Sequence, residues 1–184
     1  MRRPFALLTL ILVSMAAAKP SPPPPSPPAA GAQEAMAPLK PFVGEWVGSG
    51  WLAGPPDHRT TIRTQTTAGL VGDGAYFLIE ERAWGRVGDD PATPQTLLHN
   101  ALTVFNFDPT TTALGVRLYE VSIGAADGTA TADPETVTQL FHLPGGGQFR
   151  LTMMKTDTGW KVLGHQSPEG AVWTQNMEVN YTKK

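Results

Sequence analysis

The sequence predicts an all-β fold, an antiparallel up-and-down barrel of about nine or ten strands. From Pro41 onward, short segments of alternating apolar and polar residues are separated by turn residues, with little helical periodicity. The short connections favour antiparallel pairing between chain neighbours. The first segment reads Gly-x-Trp-x-Gly-x-Gly and places Phe42, Trp46 and three glycines on one face. A small barrel needs such a strand where its backbones approach closely.

Composition limits the possible functions. The chain has 184 residues, a formal net charge of -2 and no cysteine. A nearly neutral chain has no basic excess to neutralise phosphates, so we expect no nucleic-acid partner. The absence of cysteine excludes disulfides, thiolate metal sites and a cysteine nucleophile.

The N-terminus is typical of an export signal over residues 1–18. Arg2 and Arg3 supply the positive start, residues 5–15 form an apolar run, and residues 16–18 are three alanines that suit cleavage after Ala18. The apolar run is shorter than the roughly 20 residues that span a bilayer, so no stable membrane span is predicted. We therefore expect a periplasmic or secreted protein.

Residues 19–38 are predicted to be a disordered, proline-rich linker. Residues 21–28 hold six prolines, which favour extended polyproline II structure and bury little apolar surface. Residues 33–36 can add one helical turn before Pro38. The folded domain is then expected to cover residues 39–184.

Nine segments within this domain alternate as strands do. Turn residues such as Gly72-Asp73-Gly74 separate them. Two longer segments, residues 85–95 and 124–134, are predicted to be loops at a barrel rim, with a turn at residues 126–128 in the second. The predicted strands are residues 42–52, 59–67, 75–84, 98–107, 115–122, 135–143, 148–156, 159–167 and 171–181.

Alternation also predicts which side chains face the interior. A barrel of this size is either filled by side chains or leaves room for one small ligand. Glu80 and the Tyr76 hydroxyl are the expected polar groups of such a site, although Glu80 can instead face solvent with a cross-strand partner, and a one-residue slip would exchange the faces. The predicted ligand-binding residues are Tyr76, Leu78 and Glu80 in the third strand, Phe141 in the sixth, and Phe149, Leu151 and Met153 in the seventh.

Three short motifs occur in the same order as in a known protein family. Residues 42–50, the segment 104–109 and the closing residues 159–184 with Gly159-Trp160-Lys161 are similar to lipocalin-like bacterial proteins grouped as a domain of unknown function. The Gly-x-Trp opening also resembles lipocalins, fatty-acid-binding proteins and nitrobindin-type haem barrels. The resemblance implies that Trp46 plugs the closed end beneath a basic residue near the last strand, here Lys183, and is structural.

No catalytic, metal or cofactor site is predicted. The four histidines form no His-x-His or His-x-x-x-His pair, and no Gly-x-Ser-x-Gly motif occurs. The nitrobindin resemblance implies one axial histidine, for which His142 and His165 are the candidates, but a solvent-exposed or hydrogen-bonded histidine is the simpler interpretation. Glu80 and Glu81 are adjacent, so on a strand they point to opposite faces.

These observations favour an exported barrel that binds a small apolar or amphipathic ligand. Two alternatives stay open. One is a haem-binding barrel with isomerase or peroxidase activity, and the other is a structural or partner-binding envelope protein with a filled barrel.

Overall fold

Ten antiparallel strands form the fold. A computed structural model describes residues 27–54, 58–86, 88, 92–122, 124–143 and 146–184. Within these residues the all-β prediction is confirmed. The elements are α1 (Ala32–Ala35), a 3-10 helix (Ala37–Phe42), β1 (Gly44–Gly54), β2 (His58–Val71), β3 (Tyr76–Gly85), β4 (Thr96–Asp108), β5 (Ala113–Glu120), β6 (Gly124–Ala132), β7 (Thr136–His142), β8 (Gln148–Thr156), β9 (Gly159–Ser167) and β10 (Thr174–Lys183).

The strands close into an up-and-down barrel, as predicted. Each strand pairs antiparallel with its neighbours in the chain, and β1 pairs with β10 to complete the ring. The closing register places Trp46 opposite Lys183 and Leu52 opposite Met177. Closure leaves no strand edge open to pair with another chain.

Glycines on the inner face of β1 allow this closure. A Cβ atom added to Gly50 would collide with the carbonyl oxygen of Glu178 and lie 2.7 Å from the Cα of Val179. A Cβ on Gly48 would lie 2.9 Å from the Tyr181 ring. The Gly-x-Trp-x-Gly-x-Gly pattern therefore permits close contact between β1 and β10.

The loop predicted at residues 124–134 is wrong, because this segment contains strand β6. Residues 124–134 were expected to form a rim loop with a turn at 126–128, but residues 124–130 pair with β5 and residues 128–132 pair with β7. Its inward residues are small, so the segment lacks the large apolar alternation of a recognisable strand. Small residues are required there, because a Cβ on Gly128 would lie 3.0 Å from the Phe141 ring.

Strand β3 corrects the predicted orientation of Tyr76, Leu78 and Glu80. These three side chains face outward, and Tyr76 is 46% exposed. Phe77 and Ile79 face inward instead. Residues 76–79 are apolar at both parities, so alternation alone did not decide between the two faces. The pairing with β4 does, because it sets Phe77 against Phe105 with ring centroids 5.6 Å apart.

The predicted faces of β7 and β8 are confirmed. In β7, Val137, Gln139 and Phe141 are buried, whereas His142 is exposed. In β8, Met153 is buried and Phe149 packs against the core. In each strand the inward parity holds most of the large apolar side chains, with Leu140 and Met154 as the outward exceptions, so the alternation indicated the correct face.

A helical segment covers the end of the barrel where β1 begins. Met36 and Leu39 are fully buried, and Ala32 is 3% exposed. Residues 32–38 were expected to belong to the linker, yet the apolar positions 32, 36 and 39 follow helical spacing and pack onto the barrel. We call this covered end the closed end. No helix among the described residues is long and apolar enough to cross a bilayer.

Candidate functional site

A cavity of about 80 Å³ lies inside the barrel. Most of its wall is apolar, as expected for side chains that alternate inward from five or more strands. Five polar side chains interrupt this wall: Glu81, His99, Thr103, Gln139 and Tyr181. The apolar residues that matter below are Ile79, Phe149, Leu151, Met153 and Val162.

Stacked aromatic rings separate the cavity from the closed end. Trp160 stacks on Tyr181 with centroids 4.0 Å apart and an interplanar angle of 9°. The other side of Trp160 meets Trp46 and Phe42 edge-to-face at 6.0 and 5.7 Å. Such pairs add about 0.5 to 1.5 kcal/mol each beyond burial. Trp160 and Tyr181 line the cavity, whereas Trp46 lies behind them.

Trp46 is held as a plug. Its Nε1 donates a hydrogen bond to the carbonyl oxygen of Phe42 at 2.9 Å, and the side chain is 4% exposed. Lys183 Nζ lies 5.2 Å from the Trp46 ring centroid, within the range of a cation–π interaction. This contact is the one expected for these two residues, and it places Trp46 away from the cavity.

Glu81 is the acidic group of the cavity wall. It accepts hydrogen bonds at Oε2 from the Thr66 hydroxyl at 3.0 Å and from the Tyr181 hydroxyl. Its other oxygen, Oε1, lies 3.7 Å from His99 Nε2, which is longer than a hydrogen bond. One carboxylate oxygen is therefore fixed by the protein, and the other faces the polar part of the cavity.

His99 connects Glu81 to a second buried carboxylate. Its Nδ1 lies 3.7 Å from Glu120 Oε1. Glu120 accepts hydrogen bonds at Oε2 from the Ser122 amide at 2.9 Å and from the Ser122 hydroxyl. The side chains of Glu120 and His99 are 6% and 31% exposed, so this polar row runs from the barrel interior toward the rim at the end of β5.

Burial makes the Tyr181 hydroxyl a weaker acid than a tyrosine in water. Desolvation, followed by the negative charge of Glu81, raises the pKa of the Tyr181 hydroxyl well above its usual value of 10.0. The neutral hydroxyl donates to Glu81, and ionisation would set two negative charges against each other in a buried site.

This shift predicts loss of stability in alkali. The pKa of Tyr181 is higher in the folded state than in the unfolded state. The stabilisation that its neutral hydroxyl gives the folded state is therefore complete below about pH 10 and is lost as the pH rises toward the folded pKa. Above about pH 10, Tyr181 should lower the free energy of unfolding by about 1.4 kcal/mol per pH unit. Urea unfolding between about pH 9 and pH 11 measures this slope.

The matched control is Tyr181→Phe, which lacks the ionisable group. We expect its unfolding free energy to fall less steeply with pH than that of the wild type. Absorbance at 295 nm should show equal ionisation in the two folded proteins and one extra ionising tyrosine in unfolded wild type. Equal slopes in the two proteins would contradict the buried Tyr181–Glu81 pair.

The structure places the predicted ligand-binding residues in three positions. Phe149, Leu151 and Met153 line the cavity. Phe141 is fully buried in the wall behind it and packs on Phe149 with centroids 6.4 Å apart. The β3 residues Tyr76, Leu78 and Glu80 lie outside the barrel, so no interior cavity brings them to a ligand.

Sequence reasoning missed the polar residues of the site. Glu81 follows Glu80 and takes the inward position once the parity of β3 is corrected. Gln139 shares the inward parity of Phe141 in β7, and Tyr181 follows Val179 at the inward parity of β10. His99 shares the parity of the inward residues Ala101, Thr103 and Phe105, a signal that was present in the alternation of β4.

Neither histidine considered for haem faces the cavity. His142 is exposed, and His165 alternates with the inward residues Val162 and Gly164 on the outer face of β9. Among the described residues, no group of three or more histidine and acidic side chains is arranged to hold a metal ion.

The fold and its interior define a closed ten-stranded antiparallel barrel with a small, mainly apolar cavity. No protein-family model matches the chain, and a search of curated proteins finds no significant match. The functional argument therefore rests on the chemistry of this cavity.

Proposed function

We propose that this protein is an exported barrel that binds a small apolar or amphipathic molecule in its interior cavity. One observation carries the proposal: an apolar wall that includes Leu151, Met153 and Val162 meets polar atoms of Glu81 and Gln139. Small-molecule sites combine these two features, because apolar surface supplies affinity and a few polar groups fix orientation.

The size of the cavity limits the ligand. A volume of about 80 Å³ holds roughly five to eight non-hydrogen atoms, if each takes the space of a bound water. Drug-sized ligands usually occupy pockets of about 300 to 1,000 Å³. We therefore expect a short-chain or single-ring compound rather than a long fatty acid or a haem.

Export is part of the proposal. Residues 1–18 have the charge and apolar pattern of a signal peptide and lie outside the described residues. Removal of this segment would leave a periplasmic or secreted protein that begins near Lys19. Its ligand would then be a small molecule of that compartment or of the medium.

A filled barrel is the second candidate. Phe77, Phe105 and Phe141 are fully buried and occupy much of the interior. A structural or partner-binding envelope protein would need this packing and no ligand. No comparable observation favours the haem alternative, since His142 and His165 lie on the outer face.

Three probes with one branched tail test the proposal: 3-methylbutan-1-ol, 3-methylbutylamine and 3-methylbutanoate. Each fits the expected size and differs only in its head group. We expect at least one to bind the purified protein with a dissociation constant below about 1 mM, since a ligand of this size can reach that affinity in a buried site. Isothermal titration calorimetry measures the affinity.

A filling variant locates the binding. Leu151→Phe adds a ring on the cavity wall and should weaken the bound probe at least about tenfold by steric exclusion. Leu163→Phe makes the same change on the outer face of β9 and should leave affinity unchanged. If none of the three probes binds and native mass spectrometry of the protein from its own host shows no added mass, the filled barrel replaces the proposal.

A further inference from the structure

We propose that the cavity selects a small primary amine in its protonated form. This inference rests on the proposed interior binding site and names the chemical class of its ligand. The charge of the cavity, two available hydrogen-bond acceptors and the aromatic rings beside them point to a cation.

The charge of the cavity is negative. Glu81 lines it, Glu120 lies behind His99, and none of the described residues in its wall is a lysine or an arginine. Two carboxylates therefore surround a single histidine. A ligand that carries a positive charge complements this field, whereas a carboxylate ligand would be repelled.

Two acceptor atoms at the cavity are available to a ligand. Glu81 Oε1 has His99 Nε2 at 3.7 Å, beyond hydrogen-bond distance. Gln139 is 2% exposed and its Oε1 is buried without a hydrogen-bond partner, although its Nε2 donates to Met153 Sδ at 3.2 Å. A buried acceptor without a donor destabilises the folded protein, as unpaired buried polar groups do in general.

A primary ammonium group matches these acceptors. It carries three N–H donors and no acceptor, so it has enough donors to satisfy both Glu81 Oε1 and Gln139 Oε1. An alcohol has one O–H donor and can satisfy only one of them. The short alkyl tail of the amine would lie against Leu151 and Val162.

The surroundings reduce the cost of burying a cation. The rings of Trp160, Tyr181 and Phe149 line the cavity, and aromatic faces attract cations. The site is also not sealed, since the side chains of Glu81 and His99 are 15% and 31% exposed. An amine can thus enter past His99 without complete loss of its hydration.

The three branched-tail probes decide the class. At pH 7 we expect 3-methylbutylamine to bind wild-type protein about 10- to 100-fold more tightly than 3-methylbutan-1-ol, since a hydrogen bond to a charged group is worth more than a neutral one. We expect 3-methylbutanoate to bind most weakly. This ranking needs no variant.

Adjacent glutamates provide a matched pair of variants. Glu81→Gln removes the inward charge and should bring the affinity for the amine to within a few-fold of that for the alcohol. Glu80→Gln removes a neighbouring charge on the outer face and should leave the ranking intact. Circular dichroism and thermal unfolding establish that each variant is folded.

The outcomes separate the two proposals. If no probe binds and native mass spectrometry shows no added mass, the interior site itself is overturned. If no probe binds but native mass spectrometry shows a bound molecule, the interior site stands and the amine assignment is overturned. Binding of the alcohol or the carboxylate as tightly as the amine keeps the site but overturns the amine assignment. Equal loss of amine affinity in Glu80→Gln and Glu81→Gln also overturns the amine assignment. If Glu81→Gln does not fold, the ranking of the three probes on wild-type protein tests the assignment alone.

Discussion

Trp46→Ala should lower the free energy of unfolding by about 3 to 5 kcal/mol, as expected when a buried tryptophan is truncated and leaves a cavity. The indole is 4% exposed, packs on Trp160, and donates to the Phe42 carbonyl oxygen. For a chain of this length the loss corresponds to roughly 6 to 20 °C in melting temperature. Urea unfolding and differential scanning calorimetry measure it.

The matched control is Trp84→Ala. Trp84 is half-buried on the outer face of β3, so its truncation should cost about 1 kcal/mol or less. The affinity of any cavity ligand should change little in Trp46→Ala, because Trp160 lies between Trp46 and the cavity. A variant that melts like wild type but loses its ligand would place Trp46 in the binding site and contradict the plug.

Closure of the barrel could be predicted because the glycine pattern of β1 indicates that a second strand approaches it closely. The glycines of β1 alternate with larger residues, and the inward position of Trp46 fixes the parity of the strand. At Gly50 the backbone of β10 leaves no space for a side chain, and at Gly48 the side chains of Thr64, Val179 and Tyr181 occupy that space. In the same way, the faces of β7 and β8 were assigned correctly because most of their large apolar residues share one parity.

Strand β6 could not be predicted from the same rules. Alternation identifies a strand by large apolar side chains on one face, and the inward residues of β6 are Ala126, Gly128 and Ala130. At Gly128 a side chain is excluded by the backbone of Leu140 and the ring of Phe141 on the adjacent strand. This constraint comes from tertiary packing, which a single sequence does not display locally.

The candidate site was predicted only in part for a related reason. Phe149, Leu151 and Met153 were found because β8 alternates clearly, whereas β3 is apolar at both parities between residues 76 and 79. A shift of one residue therefore exchanged Glu80 for Glu81, the residue that holds the hydrogen bonds from Thr66 and Tyr181. The inward carboxylate of β3 is therefore that of Glu81, one position after Glu80.

Gly50→Ala should destabilise the barrel by about 3 kcal/mol or more, at the upper end of the usual cost of overpacking. The added methyl group would meet the Glu178 carbonyl oxygen and the Val179 Cα. These are backbone atoms of β10, so a change of side-chain rotamer cannot relieve the collision. The strands must separate instead, which weakens the pairing of β1 with β10 that closes the barrel.

The same substitution at Gly69 is the control, because a Cβ there meets no atom within 4 Å. Gly69→Ala should leave stability unchanged or raise it by about 0.5 to 1 kcal/mol, since alanine loses less conformational entropy than glycine when a strand forms. Hydrogen exchange should distinguish the two variants further, with faster exchange of β1 and β10 amides in Gly50→Ala alone. Equal stability of the two variants would mean that β1 and β10 do not approach as closely as the closed barrel requires.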